Sequence, residues 1–213
     1  MTNYGIKEKI LCIAAHPDDT EIMAASEICR AYTNEDIEFF ACITTDGGNA
    51  DVRNAEQREA AEIGKYTDLF LLGYSSNEIK GNSEQRIVNN YGDIIKDYIN
   101  VINKIKPTTI ITHNPFDTHA THKAVFNKVV EAIKSMPEEL RPEMLFGGEV
   151  WGSIMNSEQR TVNSCGLEII EKEITNTALY KKLLSCFPSQ TKIIEEFSGK
   201  TVSNYLDMTE YML

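Results

Sequence analysis

The chain has 213 residues, 42% of them hydrophobic and 25% charged, with a formal net charge of −11. That length suits one large α/β domain able to bury a substantial core, and no apolar run approaches the ~18 residues of a membrane span. The acidic balance argues against a nucleic-acid partner, whose phosphates would repel it.

The opening MTNYGIKEKI lacks the apolar stretch of a signal peptide. The expectation is a chain that begins at its own first residues, in the cytoplasm. Five cysteines, at 12, 29, 42, 165 and 186, are odd in number and form no CxxC pair. Most of them read as buried, reduced thiols of a reducing compartment.

In chain order, ILCIAA from Ile10 reads as a fully buried strand, and a helix follows over Glu21 to Tyr32, ending near Asn34. IEFFACITT, Ile37 to Thr45, is a second buried strand, and DGGNAD is a turn-rich loop. A helix rich in Ala, Glu and Arg is predicted over Val52 to Lys65, stopped near Gly64, and a third strand over Asp68 to Gly73. The polar segment Tyr74 to Arg86 is the candidate for a mobile loop over a site.

Ile87 to Lys106 carries apolar residues at helical spacing and ends before Pro107. TTIITH, Thr108 to His113, is a fourth strand, followed by the loop NPFDTHATH and a helix over Lys123 to Ser135. A fifth strand within Glu143 to Trp151 is expected to be interrupted by Gly147 and Gly148. The remainder reads as a short strand near Leu167 to Ile174, helices over Leu179 to Cys186 and Thr191 to Phe197, and a helical end. This alternation predicts a Rossmann-like, doubly wound α/β fold, a mostly parallel sheet with helices on both faces. No repeat or linker splits it, so residues 1–213 read as one domain.

Ala14 to Ile22, AAHPDDTEI, falls at the carboxyl end of the first strand, the edge where open α/β sheets bind ligands. Two carboxylates in close contact resist double ionisation, so His16, Asp18 and Asp19 together call for a cation or a shared proton. A helix N-cap would use one Asp and leave the other and the imidazole unexplained. In a sheet of order 3-2-1-4-5 the first and fourth strands are neighbours, so His16 lies beside His113. The other histidines, His119 and His122, lie in that same second loop, and no histidine lies elsewhere. Clustering of this kind favours a metal.

These residues resemble a known family. AAHPDDTE is similar to the HPDD-E signature of the PIG-L/LmbE family of metal-dependent N-acetylglucosamine-type deacetylases. NPFDTHATHKAV resembles its Asp-x-His-x-Asp-His motif, and TTDGGNADVRNAEQREAAEIG its Gly-rich loop followed by Arg-x-x-Glu. FPSQ, Phe187 to Gln190, is similar to a Ser-Gln pair near its C-terminal end. The resemblance implies zinc held by His16, Asp19 and His122, Asp18 as general base, His119 steadying the transition state and Arg53 contacting substrate. Two imidazoles and a carboxylate make a catalytic zinc site with an open position, although another divalent metal would suit the same donors. Asp117 reads as a group that orients an imidazole from outside the ligand set, and His113 as a strand-end residue. Arg53 pairing with Asp18 or Glu56 stays open, as does Trp151 between sugar platform, core and subunit contact. One departure is Thr121, where the family commonly has Asp.

The implied function is removal of acetyl from an N-acetylglucosamine-like sugar or sugar conjugate, the small-molecule partner of this chain, by zinc-activated water. A non-catalytic Rossmann-like binding protein and a metal-dependent phosphoesterase are the alternatives. Against the first, no GxGxxG follows strand one. Against the second, the loops show no acidic cluster for a second metal. Homo-oligomer formation is left open.

Overall fold

The computed structural model describes residues 7–80, 93–151, 154 and 166–213. Strands β1 (Glu8–Ala14), β2 (Ile37–Thr45), β3 (Asp68–Tyr74), β4 (Thr109–His113), β5 (Met144–Gly148), β6 (Ile169–Glu173) and β7 (Val202–Asp207) form one sheet of order β3-β2-β1-β4-β5-β7-β6. The first five are mutually parallel, and the expected 3-2-1-4-5 order holds across them. β7 and β6 add an antiparallel edge.

Successive residues of β1 point into different cores, which is why the strand is apolar throughout. Ile10, Cys12 and Ala14 pack on one face with Ile28, Tyr180 and Leu183. Leu11, Ile13 and Ala15 pack on the other with Tyr98, Val129 and Ile133. The helices that cover these faces are α1 (Asp19–Met23), α2 (Ala25–Thr33), α3 (Ala50–Gly64), α4 (Ser76–Lys80), α5 (Ile94–Ile105), α6 (Ala120–Lys134), α7 (Thr177–Leu184) and α8 (Thr191–Phe197). Cys12, Cys29, Cys42 and Cys186 are buried and free, as expected, and burial pushes the Cys12 and Cys42 thiols far up. Among the described residues no helix is long and apolar enough to cross a membrane.

Four sequence expectations are corrected. The helix expected over Glu21 to Tyr32 starts at Asp19 and breaks at Ala24 (φ −106°, ψ 19°). There the Ser26 amide donates to Ser203 Oγ (3.1 Å), while Ile22 O accepts from Lys200 Nζ (3.2 Å). Tertiary partners have replaced a helical i→i−4 bond. The expected helical end is instead β7, followed by a 3₁₀ turn over Thr209–Met212. Its polar residues are matched rather than exposed: Asn204 Nδ2 donates to Glu149 Oε2 (2.6 Å), and Tyr205 Oη bonds Ser26 Oγ (2.9 Å).

Gly147 and Gly148 close β5 rather than interrupt it. A Cβ on Gly148 would lie 2.3 Å from Met23 Cγ, so only glycine lets the strand pass α1 so closely. The segment expected as a loop over the site forms α4 in its first part. Residues 81–86 of it lie outside the described residues, as do 87–92 of the helix expected from Ile87.

Candidate metal centre

The ends of β1 and β4 are joined side by side: the Ala15 amide donates to His113 Nε2 (2.9 Å). Accepting at Nε2 requires a neutral ring, and burial holds the His113 pKa down at about 4. His113 stacks under His122, with ring centroids 3.9 Å apart. Its nearest nitrogen is 3.5 Å from Asp19 Oδ2, but that lone pair already serves Ala15. His113 is a strand-end support, as expected.

The turn after β1 brings His16 and Asp19 together, and the first turn of α6 brings in His122. His16 Nδ1 lies 3.1 Å from Asp19 Oδ2, His122 Nε2 lies 3.3 Å from the same oxygen, and the two nitrogens are 3.3 Å apart. Zinc bonds of ~2.0–2.2 Å put tetrahedral neighbours roughly 3.3–3.6 Å apart, so this triangle fits one small divalent ion. Among the described residues, two overlapping groups of possible metal ligands, His16–His119–His122 and Asp19–His113–His122, share this corner.

The charges point the same way. Burial alone would lower the His122 pKa, but Asp19 and Asp117 outweigh it and hold it up at about 10. Burial likewise opposes ionisation of Asp19, yet His122, His113 and His16 keep its carboxyl well below the ordinary value. In the protein alone a proton on His122 balances these acids. A metal cation at this corner would take over that charge balance, with His122 Nε2 then available to hold it.

Asp117 organises the second loop. Its Oδ2 accepts from His122 Nδ1 (3.0 Å), which turns Nε2 toward Asp19, and its Oδ1 accepts from the His119 amide (2.7 Å). His119 is the N-cap of α6, at the cleft wall. Burial, then the charge on His122 and His16, hold its pKa down at about 4, and its Nδ1 has no protein partner. Thr121, where the family commonly has Asp, is buried with its Oγ1 likewise unpartnered.

Asp18 sits at φ 98°, a conformation that costs a non-glycine residue of order 1–3 kcal/mol. Burial, and next the neighbouring Asp19, push its carboxyl well above the usual range, against the pull of Arg53. Arg53 Nη2 donates to Asp18 Oδ2 (3.0 Å) and to Pro17 O. Gly47 (φ 63°) makes room for this: a Cβ there would lie 3.2 Å from Pro17 Cδ and 3.3 Å from the Arg53 guanidinium. Arg53 borders the cleft, and its Nη2 is engaged by the turn.

The cleft holds about 510 Å³ of empty volume, its open mouth included. Trp151, Val150, Ile22 and Ile193 supply an apolar side opposite the acids and imidazoles. Trp151 also meets Phe197 edge-on at 5.6 Å, so it serves the core and the cleft together. Gln190 reaches the cleft because Ser189 is clamped by Glu56, whose oxygens accept from its amide (2.8 Å) and hydroxyl (2.6 Å).

Sequence reasoning missed three contributors. Ser76 Oγ lies 3.3 Å from His16 Nε2, while Gln57 and Glu21 support the turn from behind. The spacing of Arg53, Glu56 and Gln57, one helical face of polar residues, was the available signal.

The family model for GlcNAc-PI de-N-acetylase, PIG-L, matches residues 11–133, which contain every proposed donor. Over 154 residues the chain is 28% identical to a probable N-acetyl-alpha-D-glucosaminyl L-malate deacetylase 2 of Bacillus cereus, covering 64% of this chain and 66% of that protein, just under two thirds of the relative's length. The fold is similar to that of GalB, the 4-carboxy-2-hydroxymuconate hydratase of Pseudomonas putida (TM-score 0.68, 14% identity, 94% of this chain and 96% of that one). It is also similar to N,N'-diacetylchitobiose deacetylase of Pyrococcus horikoshii (TM-score 0.60, 16% identity, 95% and 84%). At such identities the likeness concerns the fold, which carries more than one reaction.

Proposed function

The chain belongs to the GlcNAc-PI de-N-acetylase (PIG-L) family, and from that premise we propose a metal-dependent amidohydrolase that removes acetyl from an N-acetylglucosamine-like sugar or sugar conjugate. The observation that carries this reading is the triangle of His16 Nδ1, Asp19 Oδ2 and His122 Nε2, 3.1 to 3.3 Å on a side, with Asp18 adjoining it. Those three atoms would hold zinc, or another divalent ion of similar preference. Such an ion supplies Lewis acidity toward an amide carbonyl and lowers the pKa of water toward ~7.

The remaining chemistry belongs to the chain. Asp18, whose carboxyl is raised above the usual carboxylate range by burial and by Asp19, takes the proton of the attacking water at its carboxylate. His119, neutral at its depressed pKa, donates a hydrogen bond to the developing oxyanion, and the proton that Asp18 took from water passes on to the leaving amine. Asp117 keeps His122 in the tautomer that presents Nε2. Arg53 holds the Asp18 carboxylate, and any contact it makes with substrate is additional to that. Trp151 and Ile193 give the sugar an apolar wall, and Gln190 gives its hydroxyls a polar partner. A conjugate such as the N-acetylglucosaminyl malate named for the Bacillus cereus relative is a natural first substrate.

The test is free-amine release from N-acetylglucosamine and its conjugates, with metal content measured in the same preparation. The expected result is about one metal per chain and chelator-sensitive release. Metal binding without release from any N-acetyl sugar would refute the reaction, and release untouched by complete metal removal would refute the metal's part in it.

A further inference from the structure

Helix α3 turns an unusual face inward. Arg53, Glu56 and Gln57 are all buried, where an amphipathic helix would bury apolar side chains. Arg53 takes the side chain of Asp18, and Glu56 takes Ser189. Gln57 does something different: its Oε1 accepts from the backbone amide of Asp18 (3.1 Å). Its Nε2 donates to Glu21 Oε1 (2.8 Å), and that same oxygen accepts from Tyr66 Oη (2.7 Å). Gln57 and Glu21 are fully buried, so both bonds are shielded from water.

Tyr66 reaches this position because Gly64 lies beneath its ring. A Cβ on Gly64 would come within 2.5 Å of Tyr66 Cε1. The chain therefore runs from the end of α3, through Tyr66 and Glu21, to Gln57 and the amide of Asp18. It ends on the residue whose backbone is held at φ 98°. A side-chain carboxylate can swing about its own torsions, but its range is set by where the backbone points it. A bond to that backbone amide acts on orientation before any bond to the carboxylate can.

We infer that Gln57 is a positioning residue: buttressed by Glu21 and Tyr66, it holds the backbone of Asp18 in the conformation that keeps its carboxylate beside the metal-ligand triangle. This rests on the amidohydrolase reading for its effect on rate, but not for its effect on the turn. The bond also explains an amide side chain at a fully buried helix position, where Leu or Met would pack without needing partners.

The test compares Gln57→Leu with wild type in three measurements on the full chain: Asp18 amide exchange by NMR, metal content after dialysis, and steady-state kinetics. The expected result is faster Asp18 exchange, unchanged metal content, and kcat lower by roughly 10- to 100-fold, the scale of a small misplacement of a reacting group. KM should stay within about threefold, because substrate binding is not what is lost. A rescue pair sharpens this. Gln57→Glu alone sets two carboxylates together, whereas Glu21→Gln with Gln57→Glu exchanges amide and carboxylate and rebuilds both bonds. The double variant should recover most of the kcat that Gln57→Glu loses. If Gln57→Leu fails to fold, this pair decides alone.

Unchanged Asp18 exchange in Gln57→Leu would overturn the inference. So would an unchanged kcat, or a double variant no better than Gln57→Glu. Should the wild-type protein release no amine from any substrate, the amidohydrolase reading falls by itself, and the exchange measurement still decides whether Gln57 holds the turn.

Discussion

The two segments that meet at the metal triangle are held in different ways. The loop from Asn114 to His122 orients its histidines from within: Asn114 Oδ1 accepts from the Phe116 amide (2.9 Å), and Asp117 accepts from both His119 and His122. All of these bonds span five residues or fewer. The His16–Asp19 turn has a local bond, the His16 amide donating to Asp19 Oδ2, but Asp18 within it depends on partners 35 and 39 residues away, Arg53 and Gln57. The contrast teaches a division of labour. The proposed metal ligand His122 is oriented by its own loop, whereas Asp18, the strained residue proposed as proton acceptor, is held by a scaffold built from elsewhere in the fold.

The largest expected effect tests the loop that orients its own histidines. His122→Ala removes one of three donors, so metal content after dialysis should fall to background and amine release with it, since two protein ligands rarely hold catalytic zinc. The Asp18 turn, held from α3, should keep its amide protection in this variant. Retained metal would show that another group closes the triangle.

Next comes the turn itself. Asp18→Asn preserves shape but not basicity, so metal should stay while kcat falls ~10²–10⁴-fold, the usual worth of general base catalysis. The acidic limb of the kcat/KM profile should flatten as well, because Asp18 works ionised and loses that role as pH falls through its raised pKa. Asp19→Asn should instead lose metal first. The reverse pattern would mean that the two carboxylates have exchanged roles.

Arg53→Ala separates scaffold from substrate contact. Because its guanidinium holds Asp18 and Pro17, the variant should lower kcat, by roughly 10- to 150-fold for a charge-assisted bond worth ~1.5–3 kcal/mol. A rise in KM alone would favour the substrate-contact reading suggested by the sequence.

The smallest effect concerns acid stability of the local loop. Burial tends to raise the Asp117 carboxyl, but the bonds from His122 and His119 outweigh it and bring the pKa below the ordinary 3.8. A depressed carboxyl stabilises the fold above that value and loses the contribution as pH falls through the folded pKa. Chelated wild-type protein should therefore lose more Tm between pH 6 and pH 3 than chelated Asp117→Asn does. Equal losses would remove Asp117 as a source of acid lability.

Much of this architecture is written locally in the chain. The parallel order 3-2-1-4-5 follows from short apolar runs alternating with helical periodicity, and β2 and α8 fall within their expected bounds. That His16, Asp19 and His122 lie close together was legible, because their places at two neighbouring strand ends are properties of short windows. The break at Ala24, the conversion of the chain end into β7, and the engagement of Gln57 by Asp18 were not. Each depends on hydrogen bonds between residues far apart in sequence: Ser26 with Ser203, Lys200 with Ile22, Gln57 with Asp18. A local pattern shows which groups a segment buries or exposes. Which buried polar group satisfies which other is decided only when the sheet brings distant segments within hydrogen-bond reach, where an unpaired donor or acceptor is too costly to leave.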